Sequence, residues 1–489
     1  MFASITSAAL VGVEPRSVRV EAHISRGGKE GFVVVGLPDA SVREARERVK
    51  SAILVSGHRF PRRVTVNLAP ADLPKFGSAY DLPIALGVLI AAGDIPSAAS
   101  RVVALGELAL DGGVRPARGG LAAGMVAKHR GERCLVGADG SGEAALSGAD
   151  VRGVATLAEA IAVAIGAHEG SPVVPPAAVD ESSLVDLESV RGQTLGRRAL
   201  EVAAAGGHHL LLVGPPGAGK TMLARALPGI LPDLSSTEAL EVAQAHSAAG
   251  RAVPMSNRPP FRSPHHSATP AAILGGGSGV PVPGELTLAD RGVLFLDELA
   301  EFPQHLLDML RQPVEEGKVH VARKGMSVVF PCRAQVVAAT NPCPCGHLGD
   351  ARTACRCNPA AVERYRARLS GPLLDRFDLR VAIGRLDGNQ LLASGGESSA
   401  AVRERVVPAR AAQRRRGAVN RELQRDRLDA MEWDTEAGSL LAAAVDRWGL
   451  TGRGWDRVRR VARTIADLAG SERMTGDHVA EALSLRSVM

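Results

Sequence analysis

Eight consecutive residues, Gly214-Pro215-Pro216-Gly217-Ala218-Gly219-Lys220-Thr221, restrict what this chain can fold into more than any other stretch. An apolar run, residues 209–213, leads into them, and a helical pattern begins at Lys220. A strand that breaks at a glycine-rich turn and restarts as a helix points backbone N–H groups inward around an anion. The helix N-terminus adds partial positive charge at the same place. A lysine at the seventh position then reaches the outer phosphates of a polyphosphate chain, and the hydroxyl after it suits a magnesium ion. Strand, loop and helix in this order predict a parallel sheet with helices on its faces.

A second segment completes the chemistry. Val293–Leu296 is four apolar residues long and ends in Asp297 and Glu298. A buried central strand delivering two acids at its carboxyl end suits one to hold magnesium, Asp297, and one to polarise an attacking water, Glu298. A third apolar run, residues 336–340, ends in Asn341, a polar side chain placed to orient water near the terminal phosphate. The competing reading of Asn341, a cap on the turn before Pro342, stays open on the residues alone.

A length of 489 residues exceeds one hydrophobic core and predicts several domains. Residues 1–168 alternate apolar runs with helical stretches. Strands are expected at residues 33–35 and 64–67, and a helix over Ala40–Val55 with Val42, Ala45, Val49, Ala52 and Ile53 on one face. Residues 169–183 read as a proline-rich linker, 184–386 as the phosphate-loop domain, 387–399 as a second linker, and 400–489 as a helical domain. The longest apolar run, residues 82–92, is shorter than the ~20 residues that cross a bilayer. With no secretory leader pattern, this predicts a soluble, cytoplasmic chain without a membrane partner. A net charge of +6 is compatible with nucleic acid, while only 3% aromatic residues argues against a surface of base-stacking platforms.

Four of the six cysteines fall in two C-x-C pairs, Cys343/Cys345 and Cys355/Cys357. Four thiolates in one short segment suit a tetrahedral zinc ion, and a set of reduced loop thiols is the plainer alternative. Cys134 and Cys332 have no such neighbours and are expected to pack in cores.

With these motifs in place the chain resembles the magnesium-chelatase-like YifB/ComM family of AAA+ ATPases. The resemblance is carried by Gly206-Gly207-His208-His209, the phosphate loop, Pro264-His265-His266, Pro283-Gly284-Glu285-Leu286 and Leu310-Arg311-Gln312-Pro313, with residues 292–299, 341–346, 370–377 and 461–468. It implies an α/β AAA+ core with a C-terminal helical lid, ATP and Mg2+ as ligands, and a homo-oligomeric ring, usually a hexamer. It makes Arg376 the finger inserted into a neighbour's site and Arg453 the sensor of the lid, with Arg457 or Arg459 as alternatives. It also implies two elements facing the pore. One is a hairpin, residues 318–330, tipped by Arg323 and Lys324. The other is an insert, residues 261–285, carrying His265, His266 and a flexible Gly275-Gly276-Gly277. Cations at such a tip suit the phosphates of DNA.

Residues 1–168 resemble a Lon-protease-like domain of the ribosomal S5 domain 2-like type, through residues 75–88, 105–120 and 122–136. Ser78 stands near the nucleophile's place. Leu121, Ala122, Ala123 and Gly124 occupy the positions where the activating lysine is expected. A serine without a proton acceptor is a poor nucleophile, so the domain is expected to be non-proteolytic. The expected function is an ATP-dependent ring motor on branched or single-stranded DNA, a branch-migration helicase or translocase in recombination or natural transformation. The alternatives are a magnesium-chelatase-type motor subunit and a scaffold or remodelling protein.

Overall fold

The computed structural model describes all residues except 26, 28, 74, 76, 140–141, 176–184, 252, 254–255, 278–280, 324–325, 351, 393–394 and 487–489. The chain divides into two compact units, one formed by Met1–Val179 with Leu240–Met255, the other by Asp180–Ala239 with Ser256–Met489.

The first unit is built on an eight-stranded mixed sheet. Its order is Ser171–Pro172, Val151–Val154, Arg133–Gly137, Val102–Leu105, Phe2–Val11, Glu14–Ile24, Arg63–Ala69 and Gly31–Val35. Phe2–Val11 and Glu14–Ile24 form a long antiparallel hairpin in the middle. In Arg63–Ala69, Val64, Val66 and Leu68 are buried in strict alternation, which fixes the face the strand turns to the core. The helix Ala40–Val55 starts where the Asp39 carboxylate accepts from the Val42 N–H at 2.9 Å. Its buried stripe is Val42, Ala45, Val49, Ala52 and Ile53, as the periodicity predicts. Asp81–Ala92 is buried on nearly all sides, which explains its unbroken apolar sequence.

The second unit holds a five-stranded parallel sheet in the order Phe261–Arg262, Val293–Leu296, Gln335–Thr340, Leu210–Val213 and Leu379–Ala382. Both faces of the three central strands are covered, so each reads as a continuous apolar run. The helices Ser399–Arg415, Thr435–Trp448, Gly452–Leu468 and Gly476–Ser484 follow. Val406, Leu441, Val461, Ile465 and Leu483 join Leu210, Phe295 and Val337 in one core, so the lid and the sheet are packed as a single body. Where they meet, buried His208 is bonded through Nδ1 to Asp378 at 3.3 Å and through Nε2 to Thr464 at 2.8 Å.

Several boundaries differ from the expected ones. Ser171–Pro172 pairs with Val151–Val154 as an edge strand of the first sheet, so the first linker does not begin at 169. Much of the remainder, residues 176–183, lies outside the described residues. The second linker contains a short helix, Gly388–Leu392. Leu240–Met255, expected in the ATPase core, groups with the first unit. Gly275–Gly276, expected to be flexible, forms a two-stranded ladder with Val282–Pro283 because glycine backbone is free to pair there. No helix among the described residues is long and apolar enough to cross a membrane.

Candidate functional site

The phosphate loop leaves the sheet at the carboxyl end of Leu210–Val213, between Gln335–Thr340 and Leu379–Ala382. Gly214 is obligatory there, because a Cβ would lie 2.1 Å from the Ile383 carbonyl oxygen of the adjoining strand end. Residues 216–222, Asp297, Glu298 and residues 339–341 surround a cavity of about 440 Å³. Three strands distant in sequence, Leu210–Val213, Val293–Leu296 and Gln335–Thr340, thus deliver the phosphate loop, the acidic pair and Asn341 to one place.

The Lys220 ammonium donates to the Gly214 carbonyl at 2.6 Å, the Pro215 carbonyl at 3.0 Å and Asn341 Oδ1 at 3.2 Å. Burial lowers its pKa, while Asp297 and Glu298 act to raise it. A cation held in a cage of neutral oxygens and partly desolvated is ready to exchange them for phosphate oxygens. Thr221 Oγ1 donates to Asp297 Oδ2 at 2.9 Å. A hydroxyl and a carboxylate oxygen side by side fit a hard, oxygen-seeking cation such as Mg2+.

Glu298 has φ +52°, a left-handed conformation that costs a non-glycine residue free energy and is found at functional sites. Its Oε2 lies 3.2 Å from His266 Nδ1. His266 in turn packs against His265, with ring centroids 4.0 Å apart and the rings tilted by 35°. The histidine pair, expected on the DNA-facing insert, therefore reaches the acidic pair. The insert is anchored where Arg262 donates to both carboxylate oxygens of Glu285 at 2.6 and 2.8 Å. The acidic pair was legible as a motif; its histidine contact was not, because it joins segments more than thirty residues apart.

Arg376 does not enter this cavity. It follows the short helix Gly371–Leu374 and pairs with Glu315 of the helix Gln304–Glu316. Its Nε and Nη1 are buried with no hydrogen-bond partner among the described residues. Arg453 is also absent from the cavity wall and is exposed in the first turn of Gly452–Leu468. Arg457, one turn on, is buried, with Nη1 3.8 Å from Asp375 and Nε 3.5 Å from Asp378. The apolar face of the lid helix packs into the core of the sheet, and Arg457 faces Asp375 and Asp378. Gln193, which the sequence did not single out, braces the loop by donating to the Ala218 carbonyl at 2.9 Å and the Gly384 carbonyl at 2.7 Å.

Residues 341–358 leave the sheet in a loop whose described residues form no helix or strand. Sγ of Cys343, Cys345, Cys355 and Cys357 all lie within 4.8 Å of one another. Cys343 to Cys345 is 3.5 Å, Cys345 to Cys355 is 3.6 Å and Cys343 to Cys355 is 3.7 Å. A tetrahedral ion with Zn–S of about 2.3 Å separates its sulfurs by roughly 3.8 Å, whereas a disulfide needs about 2.05 Å. The Cys345 N–H donates to Cys357 Sγ at 3.4 Å. Backbone N–H groups of His347 and Arg356 pull the Cys345 thiol down to about 6. Cys134 and Cys332 are buried, and burial pushes each thiol up to about 12.

The hairpin pairs Lys318–Arg323 with Met326–Pro331. Val319, Val321, Val328 and Phe330 are buried; Lys318, His320 and Arg323 are exposed. Lys324 lies outside the described residues. Arg323 Nη2 comes within 3.6 Å of where a Gly276 Cβ would be, so hairpin and insert are neighbours. In the first unit, Ser78 Oγ donates to Glu107, and Lys75 is fully buried with its ammonium on the Pro70 carbonyl.

Comparison with known proteins agrees with this geometry. Family models match residues 186–391 (magnesium chelatase, subunit ChlI), 20–139 (subunit ChlI of Mg-chelatase) and 396–486 (magnesium chelatase, subunit ChlI C-terminal). The chain is 42% identical to uncharacterized protein YifB of Escherichia coli strain K12 over 490 residues, covering 98% of this chain and 96% of that one. It is 46% identical to uncharacterized protein Rv2897c of Mycobacterium tuberculosis over 493 residues, covering 98% and 97%. Competence protein ComM of Haemophilus influenzae is 40% identical over 505 residues, covering 100% and 98%. With full-length relatives at this identity and an AAA+ nucleotide site built from three strand ends, the chain belongs to the magnesium-chelatase-like YifB/ComM family of AAA+ ATPases.

Proposed function

We propose that the chain is a ring-forming, ATP-driven motor on DNA, a branch-migration helicase or translocase serving recombination or natural transformation. The observation that carries the reading is the single cavity in which Lys220, Thr221, Asp297, Glu298 and Asn341 converge while Arg376 stands outside it. In this reading Lys220 trades its three protein oxygens for phosphate oxygens. Thr221 and Asp297 hold magnesium, which when bound neutralises charge on the phosphates. Glu298 polarises the attacking water and Asn341 orients it. Arg376, released from Glu315, completes the site of a neighbouring copy. A finger supplied in trans needs a heterologous interface, and such interfaces close into rings, here six copies.

DNA as the track is supported by the exposed Arg323 beside the insert, by the net charge of +6, and by full-length similarity to a protein named for competence. The test is ATP hydrolysis with forked, four-way and single-stranded DNA. Stimulation by a branched substrate supports the motor. Hydrolysis indifferent to every DNA overturns it. The second reading, a chelatase-type motor, is favoured by the chelatase-family matches along the chain, and stimulation by a porphyrin-binding partner instead of DNA would select it.

The four clustered thiols fit zinc. Their separations suit a tetrahedral S₄ shell, and neutralising four thiolates needs a cation of that softness.

A further inference from the structure

We infer that the tetrathiolate site is a clamp on the nucleotide pocket: closing the cysteine loop on a metal ion holds Asn341 and the phosphate-loop residue Pro216 where nucleotide binding requires them. This rests on the zinc reading above and adds to it what the metal does.

The loop is tied to the pocket at four points. Asn341, whose Oδ1 accepts from Lys220 at 3.2 Å, stands two residues before Cys343. Gly346, directly after Cys345, has φ +81° and packs so tightly on the phosphate loop that a Cβ would lie 2.6 Å from Pro216 Cδ. Past the last cysteine, the chain returns in the helix Pro359–Ala367, whose buried Tyr365 lies beside Thr340, the last residue of the strand before Asn341. On the other side Asp350, whose side chain is 2% exposed, pairs with Arg385 at 3.3 Å, just beyond the strand next to the phosphate-loop strand.

A loop this long, with no helix or strand among its described residues, has no backbone ladder there to order it. Cys343 is fully buried, so the cluster's inner edge is part of the packed body rather than a surface appendage. A metal joining residues 343 and 357 removes most of the loop's conformational freedom. Without it, the Gly346 contact and the Asn341 amide lose their support, and the Lys220 cage and the phosphate loop loosen together. The first quantity to suffer is nucleotide affinity.

The experiment measures zinc per chain by elemental analysis and the Kd of a fluorescent ADP analogue with magnesium restored. Protein purified without chelators should carry about one zinc ion. Stripping it with a thiol-directed mercurial and chelator, then reducing and exchanging the buffer, should raise Kd by about tenfold, and added zinc should reverse this. Gly346→Ala should keep its zinc and show a similar rise in Kd, because the new methyl displaces Pro216. Cys332→Ser should change neither quantity. A chain that neither carries nor takes up zinc overturns the metal site and the clamp together. A verified zinc-free chain that keeps its circular dichroism and binds nucleotide as the zinc form does leaves the metal site standing and overturns the clamp. If stripping unfolds the chain, Gly346→Ala decides: zinc retained with unchanged Kd overturns the clamp.

Discussion

In the proposed reading Lys220 and Glu298 do different work within one cavity, and their variants should separate. Lys220→Ala removes the cation caged by Gly214, Pro215 and Asn341, so binding of a fluorescent nucleotide should fall beyond measurement. Glu298→Gln keeps the shape and the phosphate contacts. It should bind nucleotide with nearly unchanged Kd and lose at least about a hundredfold in turnover, the scale of a general-base contribution. Unchanged hydrolysis in that variant would remove Glu298 from the chemistry. His266 offers a finer test. Its ring lies 3.2 Å from the Glu298 carboxylate, a contact worth about 0.5 kcal/mol at this exposure. His266→Ala should therefore raise DNA-free hydrolysis about two- to threefold if the contact holds Glu298 away from water. Steady-state rates without DNA decide the sign.

The hairpin and the joint between lid and sheet are testable as elements. Arg323→Ala/Lys324→Ala alters only two cations at the hairpin turn, and Arg323 is not among the residues that line the nucleotide cavity. Basal hydrolysis should persist, DNA stimulation should vanish, and DNA binding should depend less steeply on salt because fewer counterions are released. A DNA response like the wild type's would move the track elsewhere. At the joint, Asp378 is buried beside His208 and Arg457. Burial acts to raise its pKa, but the bond to His208 and the charges of both histidines and Arg457 outweigh it, holding the carboxyl far below the usual range. A depressed folded pKa contributes stability that is present above the unfolded value of about 4 and lost as pH falls through the folded one. Asp378→Ala strands a buried cation and should cost about 3–5 kcal/mol at neutral pH, with the difference shrinking under strong acid. Denaturant melts of both proteins across pH measure it. Elements were the most legible level. Ala40–Val55, Val293–Leu296 and Thr435–Trp448 have the bounds their patterns predict, because burial periodicity and the end signals coincide there. The ladder at Gly275–Gly276 was misread because glycine carries no pattern of its own.

Assembly brings in residues that one chain leaves idle. Arg376 pairs with Glu315 outside its own cavity, and its buried Nε and Nη1 have no hydrogen-bond partner among the described residues. If it serves a neighbour, Arg376→Ala and Lys220→Ala should each be nearly inactive alone. Mixed, they should regain a measurable fraction of activity, since some interfaces then join an intact loop to an intact finger. Mixtures as inactive as the parents would remove the shared site. Residues 169–183 read as a linker in the sequence, and the chain divides at Val179 and Asp180. The grouping of Leu240–Met255 with the first unit was not legible, because a helical segment does not announce which core it will join.

The nucleotide chemistry was written locally. A phosphate loop, an acid pair after an apolar strand and a polar strand end each need only a few neighbours in sequence, so Lys220, Thr221, Asp297, Glu298 and Asn341 could be named from the residues alone. The clustering of four cysteines was equally visible, since all lie between positions 343 and 357. Everything that depends on distance between segments waited for the folded chain. The strand order brings Asn341 to Lys220, the insert brings His266 to Glu298, the lid's packing turns Arg457 toward Asp378 and away from the cavity, and Gly346 comes to rest on Pro216. Patterns of hydrophobicity specify which face of an element is buried. They do not specify which partner buries it, because that is settled by the close packing of side chains drawn from the whole chain.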